Sequence, residues 1–380
     1  FDAMSNADLS SEIDRLLETR KRQGQLHTQA VMPWFGAMNL LLDAFRKLTQ
    51  GSFLDATRLV QGHGNKSVEA GRKLWKLSRI ADSIPAVRER ILDVTPETAR
   101  QTLDALESDP DGRLFLSAFS KYLDDYGWRS DLFDFSMPTW AENPSIPLSQ
   151  LRAYLEMEDY DPDRELDRQR HERVQAIQVT LAVVEPEDRR RFEDVLEVAT
   201  SLSPLQEDHN FYIDQRLAFT PRRLVLAIGR RLTSDGHIDD PPDVFYLRVS
   251  HVRAALNSES DDYRDVVEGY KKDMARWAEA KPPTYIGASR PTGISGFSLF
   301  DGRNHFRGDQ PNVLKGNPSS PGTASGPARI LMNLSQAGRL KPGDVLVART
   351  TMPAWTPLFG VASAIVVETG GVLSHAAVTA

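Results

Sequence analysis

The residues of this chain best suited to chemistry lie near its C-terminal end, in Glu368-Thr369-Gly370-Gly371-Val372-Leu373-Ser374-His375-Ala376-Ala377-Val378. A β-branched run, Ala364 to Val367, leads into a Gly-Gly turn. Ser374 is placed to cap a new helix, and His375 falls in the first turn of that helix. A neutral, accessible imidazole in this position is a nucleophile near pH 7. A phosphoryl group accepted by it meets free N–H groups at the helix start. Gly370 and Gly371 let the backbone approach a phosphoryl donor, and Ala376 and Ala377 leave room around the ring. The residues alone equally allow a surface histidine that caps a helix.

Other candidates are more scattered. Arg349 leads from a strand into the Thr350-Thr351 turn, so Arg349 and Thr351 are candidates to support a phosphoryl group, with a surface role as the alternative. Trp128, Arg129, Asp131, Asp134 and Trp140 cluster around one loop, which suits either a small-molecule pocket or, for Trp140, plain core. His209 follows Glu207 and Asp208 and precedes two aromatics. It can be read as a base for an acceptor hydroxyl or as a polar residue at a helix entrance. His63 and His237 sit beside glycines and read as loop histidines. The histidine spacing contains no metal-ligand pattern, so no metal is assigned, and no P-loop or GxGxxG occurs.

The elements that position these residues divide into two kinds. From residue 1 to about residue 280 the pattern is helical. Leu9, Ile13, Leu16 and Leu17 form one stripe; Thr95-Pro96-Glu97 marks a helix start; Phe115, Phe119, Tyr122 and Tyr126 repeat the helical spacing before a left-handed stop at Gly127. An amphipathic stretch from Leu205 to Leu232 stops near Gly236, with a kink or break expected at Pro221. Val244 to Leu247 is strand-like but short. Asp161 to Arg173 reads as a solvated helix face. From Lys281 to Pro321 the composition is that of a linker. Beyond it, three short runs, Ala328 to Leu331, Val345 to Ala348 and Ala364 to Val367, predict a small α/β unit, with the Lys341-Pro342-Gly343-Asp344 turn ahead of the second. The fold class expected is therefore α+β multidomain, with a large all-α domain followed by a small α/β domain that stops at Ala380 before its closing helix is complete.

Composition sets outer bounds. The 380 residues allow two or three domains, and a hydrophobic fraction of 40% and a charged fraction of 26% are ordinary for a globular protein. The net charge of −7 argues against nucleic acid or an anionic membrane as the main partner. There are no cysteines, which excludes disulfides, thiolate metal sites and cysteine nucleophiles and fits a cytoplasmic location. No transmembrane run or signal peptide is visible, and Phe1 is not an initiator residue, so the chain reads as a piece of a longer one.

Four motifs in order resemble one family. Gly370-Gly371, Ser374-His375 and Ala376-Ala377-Val378 resemble the phosphohistidine turn of the swivelling domain in phosphoenolpyruvate (PEP) utilising enzymes, such as PEP synthase and rifampin phosphotransferase. Ser320-Pro321-Gly322-Thr323-Ala324-Ser325-Gly326-Pro327-Ala328-Arg329, Gly343-Asp344-Val345-Leu346-Val347 and Thr351-Met352-Pro353-Ala354-Trp355-Thr356-Pro357-Leu358-Phe359 are similar to that domain's upstream segments. In the helical half, Asp125-Tyr126-Gly127-Trp128-Arg129 with Pro138 to Pro144 resembles a stretch in relatives of rifampin phosphotransferase, with Trp128 replacing the usual histidine.

The resemblance implies that residues 1–290 form a helical acceptor-binding domain, 291–314 a linker and 315–380 a swivelling phosphohistidine domain, incomplete at its C-terminal end. It implies a dikinase-type phosphotransferase in which His375 carries a phosphoryl group from ATP to pyruvate, an antibiotic or a phenolic hydroxyl. Gly370, Gly371, Ser374, Thr351 and Arg349 would support the phosphoryl group, and Trp128, Arg129, Asp131, Trp140 and His209 would bind the acceptor. No ATP-grasp domain is visible, so ATP and Mg²⁺ are expected in an ATP-grasp domain of the same protein or of a separate subunit. The rival reading is a non-catalytic phosphocarrier or regulatory module whose helical half binds a partner.

Overall fold

Leu9 and Ile13, one helical turn apart, are both buried, and they lie on a 44-residue helix, α1 (Asn6–Thr49). Leu17, expected on the same stripe, is instead exposed. The computed structural model describes residues 1–130, 134–157, 159–257, 261–280, 312–316, 318–320, 322–368 and 374–379. After α1 come α2 (Phe53–Thr57), α3 (Lys66–Asp82), α4 (Pro85–Leu92), α5 (Ala99–Glu107), α6 (Pro110–Tyr126), α7 (Ser145–Leu155), α8 (Pro162–Val183), α9 (Pro186–Leu202) and α10 (Leu205–His209). A π-helical stretch, Asn210–Gln215, follows, then α11 (Arg216–Ser234), α12 (Val249–Leu256) and α13 (Arg264–Glu279). The C-terminal part contains β1 (Ala328–Leu331), β2 (Val345–Ala348), α14 (Thr356–Phe359), β3 (Ala364–Val367) and α15 (His375–Thr379). A large helical part followed by a small α/β part is thus the observed fold class. Among the described residues no helix is long and apolar enough to cross a membrane.

The chain forms two compact units. The first comprises Phe1–Leu26, Phe133–Met137 and Arg216–Gly293; the second comprises His27–Leu132, Pro138–Gln215 and Ile294–Ala380. In the first, Leu9 and Ile13 pack with Leu224, Ile228, Leu232, Val252 and Leu256. In the second, Trp34, Met38, Leu41 and Phe45 of α1 pack with Phe192 and Leu196 of α9. Also in the second unit, Phe115, Phe119, Tyr122 and Tyr126 are all buried, as their spacing on α6 predicts. Full burial of such a side chain is worth about 1.5–3 kcal/mol relative to exposure.

The three strands fall where the sequence places them. They form a parallel sheet of order β1-β2-β3, with Ala328 paired to Val345 and Val345 to Ala364. Gly343 takes a positive φ of 88° in the turn before β2. Arg329 on β1 donates to Asp344 at 2.9 Å, and this bond holds the Asp344 carboxyl below the usual carboxylate range. β3 is less covered than a buried strand: Val366 is exposed on it.

Several local expectations are corrected. Thr95-Pro96-Glu97 forms a turn closed by the Thr95 and Thr98 hydroxyls, and the helix starts at Ala99. Gly127 ends α6 at φ −69°, so it is not a left-handed stop. A glycine is needed there because a Cβ would lie 2.4 Å from the Leu123 carbonyl oxygen. The stretch from Leu205 breaks at Asn210–Gln215, upstream of Pro221, which stays inside α11. Gly236, near which the stretch was expected to stop, takes a positive φ of 84° just past α11. Pro241–Tyr246 forms a 3₁₀ turn where a short strand was conceivable.

The small α/β part, read from the sequence as a domain of its own, falls in one compact unit with residues 27–132 and 138–215. The segment Pro353–Phe359 presents Ala354, Trp355 and Leu358, and all three are buried. Apolar groups of this size need a partner surface, and α14 finds it on α3 and α7. Gln150 of α7 donates to the Ala354 carbonyl at 3.2 Å across this face.

Candidate active site

His375 opens α15 and is not the exposed tip that a nucleophilic turn suggests: only 8% of its side chain is accessible. Its Nδ1 lies 2.9 Å from Oε2 of Glu207, a residue of α10 that is 1% exposed. Its Nε2 lies 3.3 Å from the Thr356 hydroxyl, and the Phe359 ring centroid lies 5.5 Å from the imidazole. Thr379, one turn along α15, places its hydroxyl 3.2 Å from Nδ1. A carboxylate oxygen accepts hydrogen bonds only, so Nδ1 carries the hydrogen toward Glu207. In the neutral ring the lone pair is then on Nε2. This fixes which nitrogen keeps its lone pair and holds the ring in place.

α10 is a single turn, so its successive side chains point about 100° apart. Glu207 faces His375 and also accepts from the Ser67 hydroxyl at 3.0 Å. Asp208 accepts the Lys66 backbone N–H at 2.7 Å, at the start of α3. There the free N–H groups and the positive end of the helix offset part of the cost of burying the carboxylates. Burial nonetheless raises the Asp208 carboxyl above its ordinary value. Oε1 of Glu207 is buried and has no hydrogen-bond partner.

Arg129 is fully buried and enclosed by aromatic rings. Its guanidinium carbon lies 5.6 Å from the Tyr126 ring centre, 5.7 Å from Trp140 and 5.5 Å from Phe211. Trp128 packs edge-on against the same Phe211, with centroids 4.7 Å apart. Nη2 makes a long contact of 3.5 Å to the Lys66 carbonyl, while Nε and Nη1 are buried with no hydrogen-bond partner among the described residues. Desolvation lowers the guanidinium from its ordinary range, and the neighbouring Tyr122, Tyr126 and Glu207 pull it back up. Cation–π contacts worth about 2 kcal/mol when desolvated are the main visible compensation.

The remaining sequence candidates separate. Trp128, Arg129 and Trp140 are together, whereas His209 turns to a different group. His209 Nδ1 lies 2.7 Å from the Leu205 carbonyl, and its ring meets His27 at 4.8 Å, near Asp214. Burial lowers the His209 pKa. Asp131, Gly370 and Gly371 lie outside the described residues. Ser374 is half-buried. Thr351 is buried with its hydroxyl unpartnered, and Arg349 is 70% exposed and faces Glu368 at 3.7 Å; neither hydrogen-bonds His375.

Sequence reasoning missed the partners of His375. Thr356 was read only as part of a motif, Ser67, which bonds Glu207 and not the imidazole, carries no local signal, and Glu207 lies 168 residues from His375. Spacing also gave no sign that His27, His209 and Asp214 converge.

The docked face is tight enough to test. A Cβ added at Gly360 would lie 2.5 Å from the Tyr160 hydroxyl oxygen, and that ring is stacked on Tyr154 with planes 7° apart. Overpacking of this kind costs about 1–3 kcal/mol. Gly360→Ala is expected to lower the denaturant midpoint, with a smaller penalty in a Tyr160→Ala background. An equal penalty in both backgrounds would show that the two residues do not meet.

Residues 26–207 match the family described as the fourth domain of rifampicin phosphotransferase, and residues 340–380 match the mobile domain of PEP-utilising enzymes. The chain is 32% identical to chondramide synthase cmdD of Chondromyces crocatus over 97% of its own length and 10% of that protein. It is 31% identical to the phosphotransferase YvkC of Bacillus subtilis, covering 85% of this chain and 38% of the relative. It is 27% identical to the rifampicin phosphotransferase of Streptomyces sviceus, covering 85% and 37%. The chain thus spans well under half the length of each of these relatives.

Proposed function

We propose, since the chain belongs to the PEP-utilising enzyme family, that it is the acceptor side of a phosphotransferase in which His375 delivers a phosphoryl group to a small-molecule hydroxyl. The observation that carries this reading is the buried Glu207 carboxylate on His375 Nδ1, which leaves Nε2 as the nucleophile. Residues 315–380 act as the swivelling phosphohistidine domain, 291–314 as the linker, and the helices of residues 1–290 as the acceptor domain. The packed arrangement of the small α/β part on α3 and α7 is then the delivery position.

Loading takes place elsewhere, at an ATP-grasp domain in the same protein or in a separate subunit, with Mg²⁺ bound there. The bond between Pβ and the α,β-bridging oxygen of ATP breaks, AMP leaves, and a P–N bond to Nε2 forms; water then takes the terminal phosphate away as inorganic phosphate, so the β phosphoryl stays on Nε2. At the delivery position the P–N bond breaks, a P–O bond to the acceptor oxygen forms, and the hydroxyl proton passes to a base. Oε1 of Glu207, buried and without a partner, is that base. Arg129, with two unpaired donors in a dry site, supports charge on the phosphoryl group or the acceptor. Four of the relatives are named for rifampicin, so a hydroxyl-bearing natural product is the favoured acceptor class, with pyruvate or a phenol as the other candidates.

The test is to incubate the full-length protein with ATP labelled at the β phosphate, then add hydroxyl acceptors. Label is expected first on His375 and then on the acceptor. ATP breakdown with no label on the protein overturns the reading; label that reaches His375 but never leaves it for any acceptor favours a phosphocarrier module.

Arg129 gives an independent check. A buried charge without full pairing is a cost to the fold, and replacing it by an apolar residue of similar size is often neutral or stabilising. Arg129→Met is expected to hold or raise the melting temperature while slowing transfer to the acceptor by roughly 10²-fold. A variant that loses stability and keeps its transfer rate would make Arg129 a structural residue.

A further inference from the structure

We propose that His27, His209 and Asp214 form a binding site for a divalent transition-metal ion of the zinc or cobalt type, held by two imidazole nitrogens and one carboxylate oxygen. This site does not depend on the phosphotransfer reading. One potential ligand atom from each residue lies within 4.8 Å of the others. His27 Nδ1 is 2.9 Å from Asp214 Oδ2, and His209 Nε2 is 3.8 Å from the same oxygen. A tetrahedral ion with bonds of about 2.0–2.1 Å separates its ligand atoms by about 3.4 Å, so shifts on the order of 1 Å suffice to enclose one.

Two further observations point to a ligand. The first is the state of the His209 ring. Its Nδ1 faces the Leu205 carbonyl at 2.7 Å, and a carbonyl only accepts, so Nδ1 bears the hydrogen. The lone pair is therefore on Nε2, the atom turned toward Asp214. A backbone carbonyl that fixes the ring in this way is the usual outer partner of a metal-bound histidine.

The second observation is the backbone between the two buried ligands. His209 and Asp214 are five residues apart, a spacing that an ordinary helix spreads roughly 140° around its axis. The stretch Asn210–Gln215 is π-helical, with i to i+5 bonding, and this turns Asp214 onto the face of His209. Such stretches are uncommon and concentrate at functional sites. The third ligand, His27, comes from α1 and has 41% of its side chain exposed, which gives an ion a way in.

The donor set selects the ion. Two imidazoles with one carboxylate suit zinc, cobalt or manganese and suit magnesium poorly. Three protein ligands also leave a tetrahedral ion one open position for water or a substrate oxygen.

The experiment is a titration of chelator-treated full-length protein, without nucleotide, with ZnCl₂, CoCl₂ and MgCl₂ separately. Calorimetry reads the stoichiometry, and the visible absorption of cobalt reports its coordination. One zinc or cobalt ion per chain is expected, bound at least about 100-fold more tightly than magnesium. Asp214→Asn and His27→Gln are each expected to weaken it by at least about tenfold, with unchanged circular dichroism. His27→Gln alters the exposed ligand, so it decides the matter if Asp214→Asn fails to fold. Zinc bound no more tightly than magnesium, or bound equally well by His27→Gln, overturns the site and leaves a hydrogen-bonded His27–Asp214 pair.

Discussion

His375→Asn in the full-length protein is expected to abolish phosphoryl transfer, a fall of at least about 10³-fold, while the protein remains folded. The asparagine amide reaches about as far as Nδ1, so it can keep the hydrogen bond to Glu207, which His375 now makes at 2.9 Å. What it lacks is the second nitrogen. The measurement is acid-labile, base-stable label on the protein after incubation with β-labelled ATP. Alanine behaves differently, because His375 is buried and not an exposed tip. His375→Ala leaves the Glu207 carboxylate with Ser67 as its remaining hydrogen-bond partner among the described residues, and losing one partner of a buried acceptor costs about 1–3 kcal/mol. The pair of variants thus separates chemistry from stability: both lose transfer, and only alanine loses much stability. Wild-type labelling and turnover in either variant would remove His375 from the mechanism.

Local order was legible in the sequence, and long-range convergence was not. The three strands were readable because four-residue β-branched runs between Gly-Pro turns have few other uses, and all three appear at the expected residues. The Phe115 to Tyr126 stripe was readable because its spacing repeats the helical turn. Helix ends were less so. Thr95-Pro96 has the chemistry of a helix start, yet the hydroxyls of Thr95 and Thr98 cap each other in a turn instead. His375 stood out in the sequence because Gly370, Gly371 and Ser374 precede it. Its orienting carboxylate did not, since Glu207 is one acid among many until α10 meets α15. The packing of the small α/β part on α3 and α7 was hidden for a related reason. Ala354, Trp355 and Leu358 entered only as part of a motif of that part, and only the fold shows that they meet α3 and α7. The convergence of His27, His209 and Asp214 was the least legible, because it depends on a π-helical stretch that no propensity announces.

Glu207→Gln is expected to divide the reaction into two steps. In the proposed cycle His375 is loaded away from the helices, so loading should remain near the wild-type level. Delivery is proposed where His375 meets Glu207, and there the substitution removes both a charge and a proton acceptor. The glutamine carbonyl can still accept from Nδ1 and from Ser67, so the ring stays oriented and the packing is preserved. Loss of a general base costs about 10²–10⁴-fold, and transfer from phosphohistidine to the acceptor is expected to fall by that much. Ser67→Ala, which removes one hydrogen bond to the same oxygen, should cost only about three- to tenfold. A single-turnover experiment reads both steps: the protein is loaded with β-labelled ATP, freed of nucleotide, and mixed with acceptor. If Glu207→Gln slows loading as much as delivery, the carboxylate serves the histidine throughout the cycle and the packed state is not specific to delivery. If it slows neither, the 2.9 Å contact has no part in the chemistry, and the proton must pass to another group beside the acceptor.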